Sequence, residues 1–158
     1  MPLYKIKKSN IDNKGLVAAK DIKKGKKVIE YKGKLISKKE SEDNPKFDNS
    51  KRIYLFEINK RYDLDGDFNY NTARLINHSC NPNCEVQILK GHIWIVSIRK
   101  IKEGEELSYD YGYEFDKDDY IDHKCRCGYK KCIGYIISSD DWKKYKKHIK
   151  LLKLKNGK

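Results

Sequence analysis

A membrane-crossing helix needs about 18 or more consecutive apolar residues, and this sequence contains no such run. The opening residues, MPLYKIKK, also lack the apolar region of a secretory signal peptide. Internal repeats, long linkers and the strand–helix alternation of parallel α/β folds are missing as well. These absences predict a soluble intracellular protein without a membrane partner. They leave open whether it works in a nucleus, its own or that of a host, or in a prokaryotic cytoplasm.

The chain has too few cysteines for a dense disulfide framework, and the odd count of five favours metal-binding thiolates. Cys125, Cys127 and Cys132 form a C-x-C-x4-C pattern, in which neighbouring thiols are badly placed to bridge each other but well placed to share one ion. A structural zinc takes four ligands, so the fourth would come from Cys80 or Cys84. The alternative is a set of unrelated buried thiols.

The net charge of +13 suggests an anionic partner, but the charges are unevenly distributed. Residues 143–158 carry eight lysines and no acid. Residues 103–122 carry nine acids and one lysine. Residues 143–158 are therefore suited to bind anions, and residues 103–122 to bind cations. The alternative is that both charge runs are only solvated surface.

The hydrophobic pattern predicts a mainly β single domain with short strands and one terminal helix. SKKE at 37–40 is typical of a capping box and predicts a short helix that ends at Pro45. CEVQIL and HIWIVSI flank a Lys90-Gly91 turn, and the second of these strands is expected to be buried. Further strands are predicted in LYKIKKS, GLVAA, KKVIEYKGKLI, IYLFEI (53–58) and after the turn in IKEGEELSYDYGYEFD.

The last predicted element is the terminal helix. Ser138, Ser139 or Asp140 can cap it. Its apolar side chains follow a helical stripe made of Trp142, Tyr145, Ile149 and Leu152.

Three stretches in chain order, RLINHSCNPNC, GEELSYDYG and CRCGYKKC, resemble the SET-domain protein lysine methyltransferases that carry a post-SET zinc motif. NKGLVAAKDIKKG, VIEYKGKLI and YLFEI are similar to weaker upstream pieces of the same family. Together the matching stretches cover about residues 10–137. Three motifs in the family's order and spacing make a chance match improbable.

The resemblance implies a mainly β SET-domain fold of small sheets with a pseudoknot, in which the NHSC and YDY segments thread past one another. It implies a SET domain over 1–115, a post-SET zinc-binding segment over 116–137 and a basic C-terminal helix over 138–158. It also implies S-adenosyl-L-methionine as methyl donor, which meets the substrate lysine through a narrow channel. The implied Zn2+ ligands are Cys80, Cys125, Cys127 and Cys132, which leaves Cys84 as an unassigned, buried thiol.

By the same resemblance, Asn77 and His78 hold the donor through backbone and side-chain hydrogen bonds. Gly15 lets the backbone approach the ligand closely. Two positions depart from the family pattern: Asn13 replaces the first glycine of the donor loop, and Lys14 stands where an aromatic ring often stacks. The full implied donor-binding set is Lys14, Gly15, Leu16, Tyr54, Arg74, Asn77, His78 and Tyr111. Outside this motif, polar residues of these types would be ordinary loop polarity.

Tyr111 aligns with the family's catalytic tyrosine, Tyr31 with a wall of the lysine channel, and Tyr109 with a phenylalanine-or-tyrosine switch. A tyrosine at the switch adds a hydroxyl that hinders a second transfer, which predicts mainly monomethylation or dimethylation. Asn71 fits a family loop motif, with Tyr70 in place of the preceding glycine. Without the motif, a tyrosine in YDY would simply be a core residue.

The implied substrate is a lysine-containing protein such as a histone tail, attracted by the acidic segment. The basic helix either only docks on the domain or also makes a nonspecific DNA contact. A second function class is a non-catalytic, zinc-stabilised module that binds nucleic acid or chromatin on a SET scaffold. Retention of Tyr111, Asn77 and His78 favours the enzyme.

Overall fold

The computed structural model of the chain describes residues 1–48 and 54–156, with only the backbone at Asn156. Ten short strands and two helices make up the regular structure of these residues, joined by 3-10 turns. The strands are β1 (Tyr4–Lys8), β2 (Lys14–Ala18), β3 (Lys27–Tyr31), β4 (Lys34–Ser37), β5 (Leu55–Glu57), β6 (Tyr62–Asp65), β7 (Asn77–His78), β8 (Cys84–Leu89), β9 (His92–Ser97) and β10 (Ser108–Tyr109). The helices are α1 (Lys38–Asp43) and α2 (Trp142–Asn156). None of the helices in the described ranges has the length and apolar character that membrane crossing requires.

The strands form four small sheets in the described part of the chain: β1-β2, β3-β9-β8, β4-β6-β5 and the parallel pair β7-β10. The expected mainly β fold is therefore confirmed. The β8–β9 turn is also as predicted, since Lys90 and Gly91 both have positive φ, at 51° and 80°, as a tight two-residue hairpin turn requires. β9 lies between two partners and its Ile95 is fully buried.

The prediction of one continuous strand over KKVIEYKGKLI was wrong. The structure divides this segment at Gly33 into β3, which pairs with β9, and β4, which pairs with β6 in another sheet. A Cβ at Gly33 would collide with the backbone carbonyl oxygen of Asp65, so the bend needs glycine. In the segment predicted as IYLFEI, β5 covers only Leu55–Glu57, and Ile53 lies outside the described residues.

The NHSC and YDY segments, which were expected to come together, lie side by side. Asn77 of β7 pairs with Ser108 of β10, and His78 pairs with Tyr109, in parallel. A further backbone hydrogen bond runs from the Ser79 amide to the Tyr109 carbonyl at 3.2 Å. This short pairing brings two segments about 30 residues apart in sequence side by side at the centre of the molecule.

The two helices differ in how they begin. Ser37 caps α1 as predicted, with its hydroxyl accepting from the Glu40 amide at 3.1 Å. Of the predicted caps of α2, Ser138 makes no side-chain cap bond, and Ser139 and Asp140 lie in a 3-10 turn, Ser139–Asp141, that leads into the helix. The Asp141 carboxylate instead accepts from the Phe115 amide at 2.9 Å.

The helix α2 docks through an aromatic cluster made of Phe115, Tyr120, Tyr135, Tyr145 and His148, whose neighbouring rings lie 4.9–5.9 Å apart. The Trp142 indole also donates to the Ile137 carbonyl at 3.1 Å. Leu152, the last member of the predicted stripe, is 38% exposed. The first half of α2 is therefore packed and its second half projects from the domain.

Candidate active site

A cavity of about 740 Å³ opens beside the parallel pair β7–β10. This size lies within the usual range for a small-molecule site. Its walls come from the segment before β2, from the segments around β7 and β10, and from the region before α2. Most of the predicted site residues line it: Lys14, Tyr31, Tyr54, Arg74, Asn77, His78, Tyr109, Tyr111 and Cys125. Gly15 and Leu16 do not line the cavity, and Leu16 is fully buried in the core.

The three predicted catalytic tyrosines share one aromatic wall. The rings of Tyr109 and Tyr111 lie 5.0 Å apart, and Phe56 bridges Tyr109 to Tyr31 at 6.0 and 4.5 Å. The Tyr111 hydroxyl donates to the Ile76 carbonyl at 2.9 Å, and the Tyr31 hydroxyl donates to the Tyr54 carbonyl at 3.2 Å. A backbone carbonyl therefore holds each phenol: the carbonyl just before β7 holds Tyr111, and the carbonyl just before β5 holds Tyr31.

Burial raises the pKa of both Tyr31 and Tyr109 above the ordinary value of a phenol, and neighbouring phenols add to the effect. These phenols therefore stay neutral at physiological pH. Within the described residues, the Tyr109 hydroxyl makes no hydrogen bond, although the side chain is almost fully buried and lines the cavity.

The position of the Tyr31 ring depends on two nearby residues, Gly66 and Asn71. A Cβ at Gly66 would collide with the Tyr31 ring, so only glycine leaves room for it there. Asn71 links Gly66 to the residue after Tyr31, since its side-chain nitrogen donates to the Gly66 carbonyl at 2.9 Å and its side-chain oxygen accepts from the Lys32 amide at 3.1 Å. Tyr70 does not enter the cavity: it is 62% exposed and stacks on Phe68.

The His78 ring connects the NHSC segment to the YDY segment. Its Nδ1 accepts the backbone N–H of Tyr111 at 3.2 Å, which places the ring proton of a neutral imidazole on Nε2, 3.7 Å from the Cys80 sulfur. With both ring nitrogens so occupied, the backbone of His78 is what remains to face a ligand.

Asn77 faces the segment before β2. Its side-chain nitrogen lies 3.0–3.2 Å from the Ser9 hydroxyl, the Asp12 and Lys14 carbonyls and a Glu106 carboxylate oxygen. The side chain therefore fastens the segment that bounds the cavity on this side. Within that segment Asn13 adopts a left-handed φ of 45°, the conformation that a glycine would otherwise supply.

The cavity also carries positive charge. The Arg74 guanidinium stacks over the Tyr54 ring at 5.4 Å and bonds to the Asn69 side chain at 3.0 Å. Lys14 lines the same cavity. These groups are suited to hold a carboxylate.

Four cysteines form a second cluster beside the cavity. The ligand atoms of Cys80, Cys125, Cys127 and Cys132 all lie within 4.8 Å of one another. The Cys80 sulfur is 3.6 Å from Cys132 and 3.8 Å from Cys125. Tetrahedral zinc with bonds of about 2.3 Å separates its sulfurs by about 3.8 Å, so the cluster fits this ion.

The fifth cysteine stands apart from this cluster, as predicted. Cys84 begins β8, is 1% exposed, and burial raises the pKa of its thiol to about 12. It is therefore an inert core residue.

Sequence reasoning missed several cavity residues. Tyr113 continues the every-second-residue spacing of Tyr109 and Tyr111, which was the available signal, and its ring packs against His123 at 5.4 Å. Phe56, Ile121, Asp122 and Arg126 carried no such signal, because only the folded chain brings them to the cavity.

Comparisons with known proteins agree with this geometry. A family model described as SET domain matches residues 13–112. Similar proteins include the histone-lysine N-methyltransferase trithorax of Drosophila virilis, 39% identical over 82% of this chain, and histone-lysine N-methyltransferase 2D of Homo sapiens, 38% identical over 82%. The histone-lysine N-methyltransferase set-2 of Caenorhabditis elegans is 38% identical over 85%. The matched region spans only 3%, 2% and 9% of the lengths of these three relatives.

Proposed function

The chain belongs to the SET-domain family, and from this we propose that it is a protein-lysine N-methyltransferase that uses S-adenosyl-L-methionine. The observation that carries the proposal is the convergence of Tyr111 with Asn77 and His78 at one cavity. The names of the relatives point to histones as the substrate class. We take the substrate to be a lysine in a histone tail or a similarly basic protein.

The cavity fits the donor in size and in chemistry. When bound, the donor supplies an electrophilic methyl group on a sulfonium. The backbone of residues 12–14 and of Asn77 and His78 would hold it, and Arg74 with Lys14 would neutralise its carboxylate. Tyr54 supports Arg74 in this position through the cation–π contact.

Tyr111 orients the incoming amine and does not act as a base. Its phenolic proton is directed at the Ile76 carbonyl, and a phenol oxygen that donates in this way can also accept a hydrogen bond from the amine. The reaction needs no covalent intermediate, because a neutral amine displaces the methyl group from sulfur in one in-line step. Alignment is therefore the main contribution of this residue.

The aromatic wall prepares the lysine for attack. A free lysine has a pKa of about 10.4, so its nucleophilic form is scarce near neutrality. The rings of Tyr31, Phe56 and Tyr109 would keep water from the amine, and this desolvation, together with the positive sulfonium of the donor, disfavours the ammonium form of the substrate.

The acidic segment contributes to substrate attraction through only some of its members. Glu105 pairs with Arg99, and Glu106 is held by Ser9 and Asn77. The remaining acids between residues 114 and 122 are mostly exposed, and Asp122 lines the cavity. We assign the recognition of basic sequence around the target lysine to this part of the segment.

The basic helix α2 is assigned a nonspecific contact with nucleic-acid phosphates. Lys144 pairs with Asp141, whereas the other lysines on the described part of α2 form no ion pair there and are exposed. Unpaired exposed lysines on one helix suit phosphates. Tyr120 packs against α2, and its neighbour Ile121 lines the cavity, so the contact would bring the active site close to chromatin.

The proposal is tested by incubating the purified chain with methyl-labelled donor and core histones. We expect label on histone, and a loss of about 100-fold or more in Tyr111→Phe with donor affinity retained. No label, together with tight DNA binding, would support the alternative of a non-catalytic chromatin-binding module.

A further inference from the structure

Glu106 lies just before β10 and is connected to the donor side of the cavity by an unusually direct set of contacts. One carboxylate oxygen accepts the Ser9 hydroxyl at 2.6 Å and the Asn77 side-chain amide at 3.0 Å. Ser9 is 97 positions away in sequence. The carboxylate therefore joins the beginning of the chain to the segment that leads into β10, which carries Tyr109 and is followed by Tyr111.

Ser9 in turn organises residues 9–14. Its hydroxyl oxygen accepts the backbone amides of Ile11 at 2.8 Å and of Asp12 at 3.2 Å. The Ser9 amide donates to the Asn13 carbonyl at 3.0 Å, which closes the turn. Since the hydroxyl proton is donated to Glu106, the serine oxygen is oriented to accept both amides.

Gly15 supplies the space for this arrangement. A Cβ at Gly15 would collide with the same carboxylate oxygen of Glu106. Gly15 does not line the cavity, so in this chain its missing side chain accommodates Glu106 and not a ligand. Residues 11–14, by contrast, all line the cavity.

We propose that Glu106 is a positioning residue for donor binding, which holds residues 9–14 in the donor-binding conformation through Ser9 and Asn77. It acts as a hydrogen-bond acceptor, and its negative charge is secondary. This role rests on the proposed methyltransferase function. It also explains how a loop with Asn13 in place of a family glycine keeps its shape.

The acceptor role distinguishes two substitutions. Glu106→Gln retains a carbonyl oxygen that can accept from both Ser9 and Asn77, so we expect donor affinity within about threefold of wild type. Glu106→Ala removes the acceptor of the Ser9 hydroxyl proton and one of the four acceptors around the Asn77 amide, and we expect a donor Kd about tenfold higher, measured by calorimetry. Ser9→Ala should weaken donor binding to a similar extent, and the double variant should lose little more than either single one.

Kinetics and exchange separate positioning from general destabilisation. In Glu106→Ala, the KM for the donor should rise while kcat at saturating donor and the KM for the lysine peptide stay near wild type. Hydrogen exchange of the amides of Ile11 and Asp12 should accelerate without change in β8 and β9. Glu105→Ala is the matched control, because it removes the adjacent carboxylate, which pairs with Arg99 and lies outside the donor side.

Equal weakening in Glu106→Gln and Glu106→Ala would overturn the acceptor role, and unchanged donor affinity in Glu106→Ala and Ser9→Ala would overturn the inference as a whole. If wild-type protein binds no donor, the proposed function itself fails, and that outcome is seen before any variant is made. If Glu106→Ala does not fold, Ser9→Ala and the exchange measurement still decide the question.

Discussion

Tyr109 is the residue that we expect to set the degree of methylation. Its side chain lines the cavity beside Tyr111, and its hydroxyl has no hydrogen-bond partner in residues 1–48 and 54–156, so we expect this hydroxyl to hold the amine or a water next to it. A group fixed in this way obstructs the rotation that a methylated amine needs before it can react again.

We therefore expect wild-type protein to give mainly monomethyl product with some dimethyl product. Tyr109→Phe keeps the ring contact with Phe56 and removes only the hydroxyl, and we expect it to raise the share of dimethyl and trimethyl lysine. Mass spectrometry of a lysine peptide at full conversion measures this. Efficient trimethylation by wild type would refute the assignment.

The protonation states of the phenols lead to a pH prediction. Burial holds the pKa of Tyr31 and Tyr109 above its ordinary value, so these groups stay neutral across the assay range, and the Tyr111 hydroxyl donates a hydrogen bond to the Ile76 carbonyl. The only ionisation required is then loss of one proton from the substrate lysine, with a pKa of about 10.4.

The logarithm of kcat/KM should accordingly rise with pH with a slope of about 1 between roughly pH 7 and 9. A phenolate base in addition to a neutral amine would give a slope of about 2 below both pKa values. A raised tyrosine pKa also stabilises the folded state below about pH 10, and this contribution is lost only as pH rises further. Unfolding therefore does not distort the rates measured between roughly pH 7 and 9.

At the scale of elements, the cysteine cluster determines how the segment after β10 covers the cavity. Cys80 follows β7 directly, and Cys125 both belongs to the cluster and lines the cavity. An ion held by these four thiols therefore fixes one cavity wall to the strand that carries Asn77 and His78. In small zinc sites of this kind, metal binding contributes directly to folding free energy.

We expect one zinc per chain, released by mercurial titration of the thiols and detected with a metal-sensitive dye. Cys127→Ser should lower the zinc content, reduce Tm by roughly 5 °C or more and weaken donor binding. Cys84→Ala is the control, since this buried thiol lies outside the cluster and its loss should leave zinc stoichiometry unchanged. Full zinc content in Cys127→Ser would contradict the ligand assignment.

At the scale of the whole molecule, charge separates into an acidic region beside the cavity and a basic helix. The exposed lysines of α2 predict binding to DNA that weakens steeply with salt, by about one unit of slope per phosphate contact in a plot of log K against log salt. Lys146, Lys147 and Lys150 are exposed and free of ion pairs among the described residues.

Replacing these three lysines by glutamine should lower the salt slope by up to about 3. A variant with Lys20, Lys23 and Lys24 replaced by glutamine carries the same net charge and should keep the wild-type slope. Fluorescence anisotropy with a labelled duplex measures both. Equal slopes in the two variants would remove the assignment of α2 as the contact surface.

The sequence allowed the cavity residues to be predicted where chemistry is concentrated in short motifs, as in Asn77-His78 and in the tyrosines around Asp110. It also indicated the cysteine cluster, because close thiol spacing limits what the residues can do. It failed where long-range pairing decides: Gly33 divides one apparent strand because β3 and β4 find partners in different sheets. The contact between Ser9 and Glu106 likewise exists only in the folded chain.

The most direct test of the account is a crystal structure of the chain with S-adenosylhomocysteine bound. We expect the ligand in the cavity between β7 and β10, with the backbone of Asn77 and His78 against it and its sulfur directed toward the Tyr111 hydroxyl. Ligand bound away from this cavity, or with its sulfur directed away from Tyr111, would contradict the claim that donor and lysine meet there.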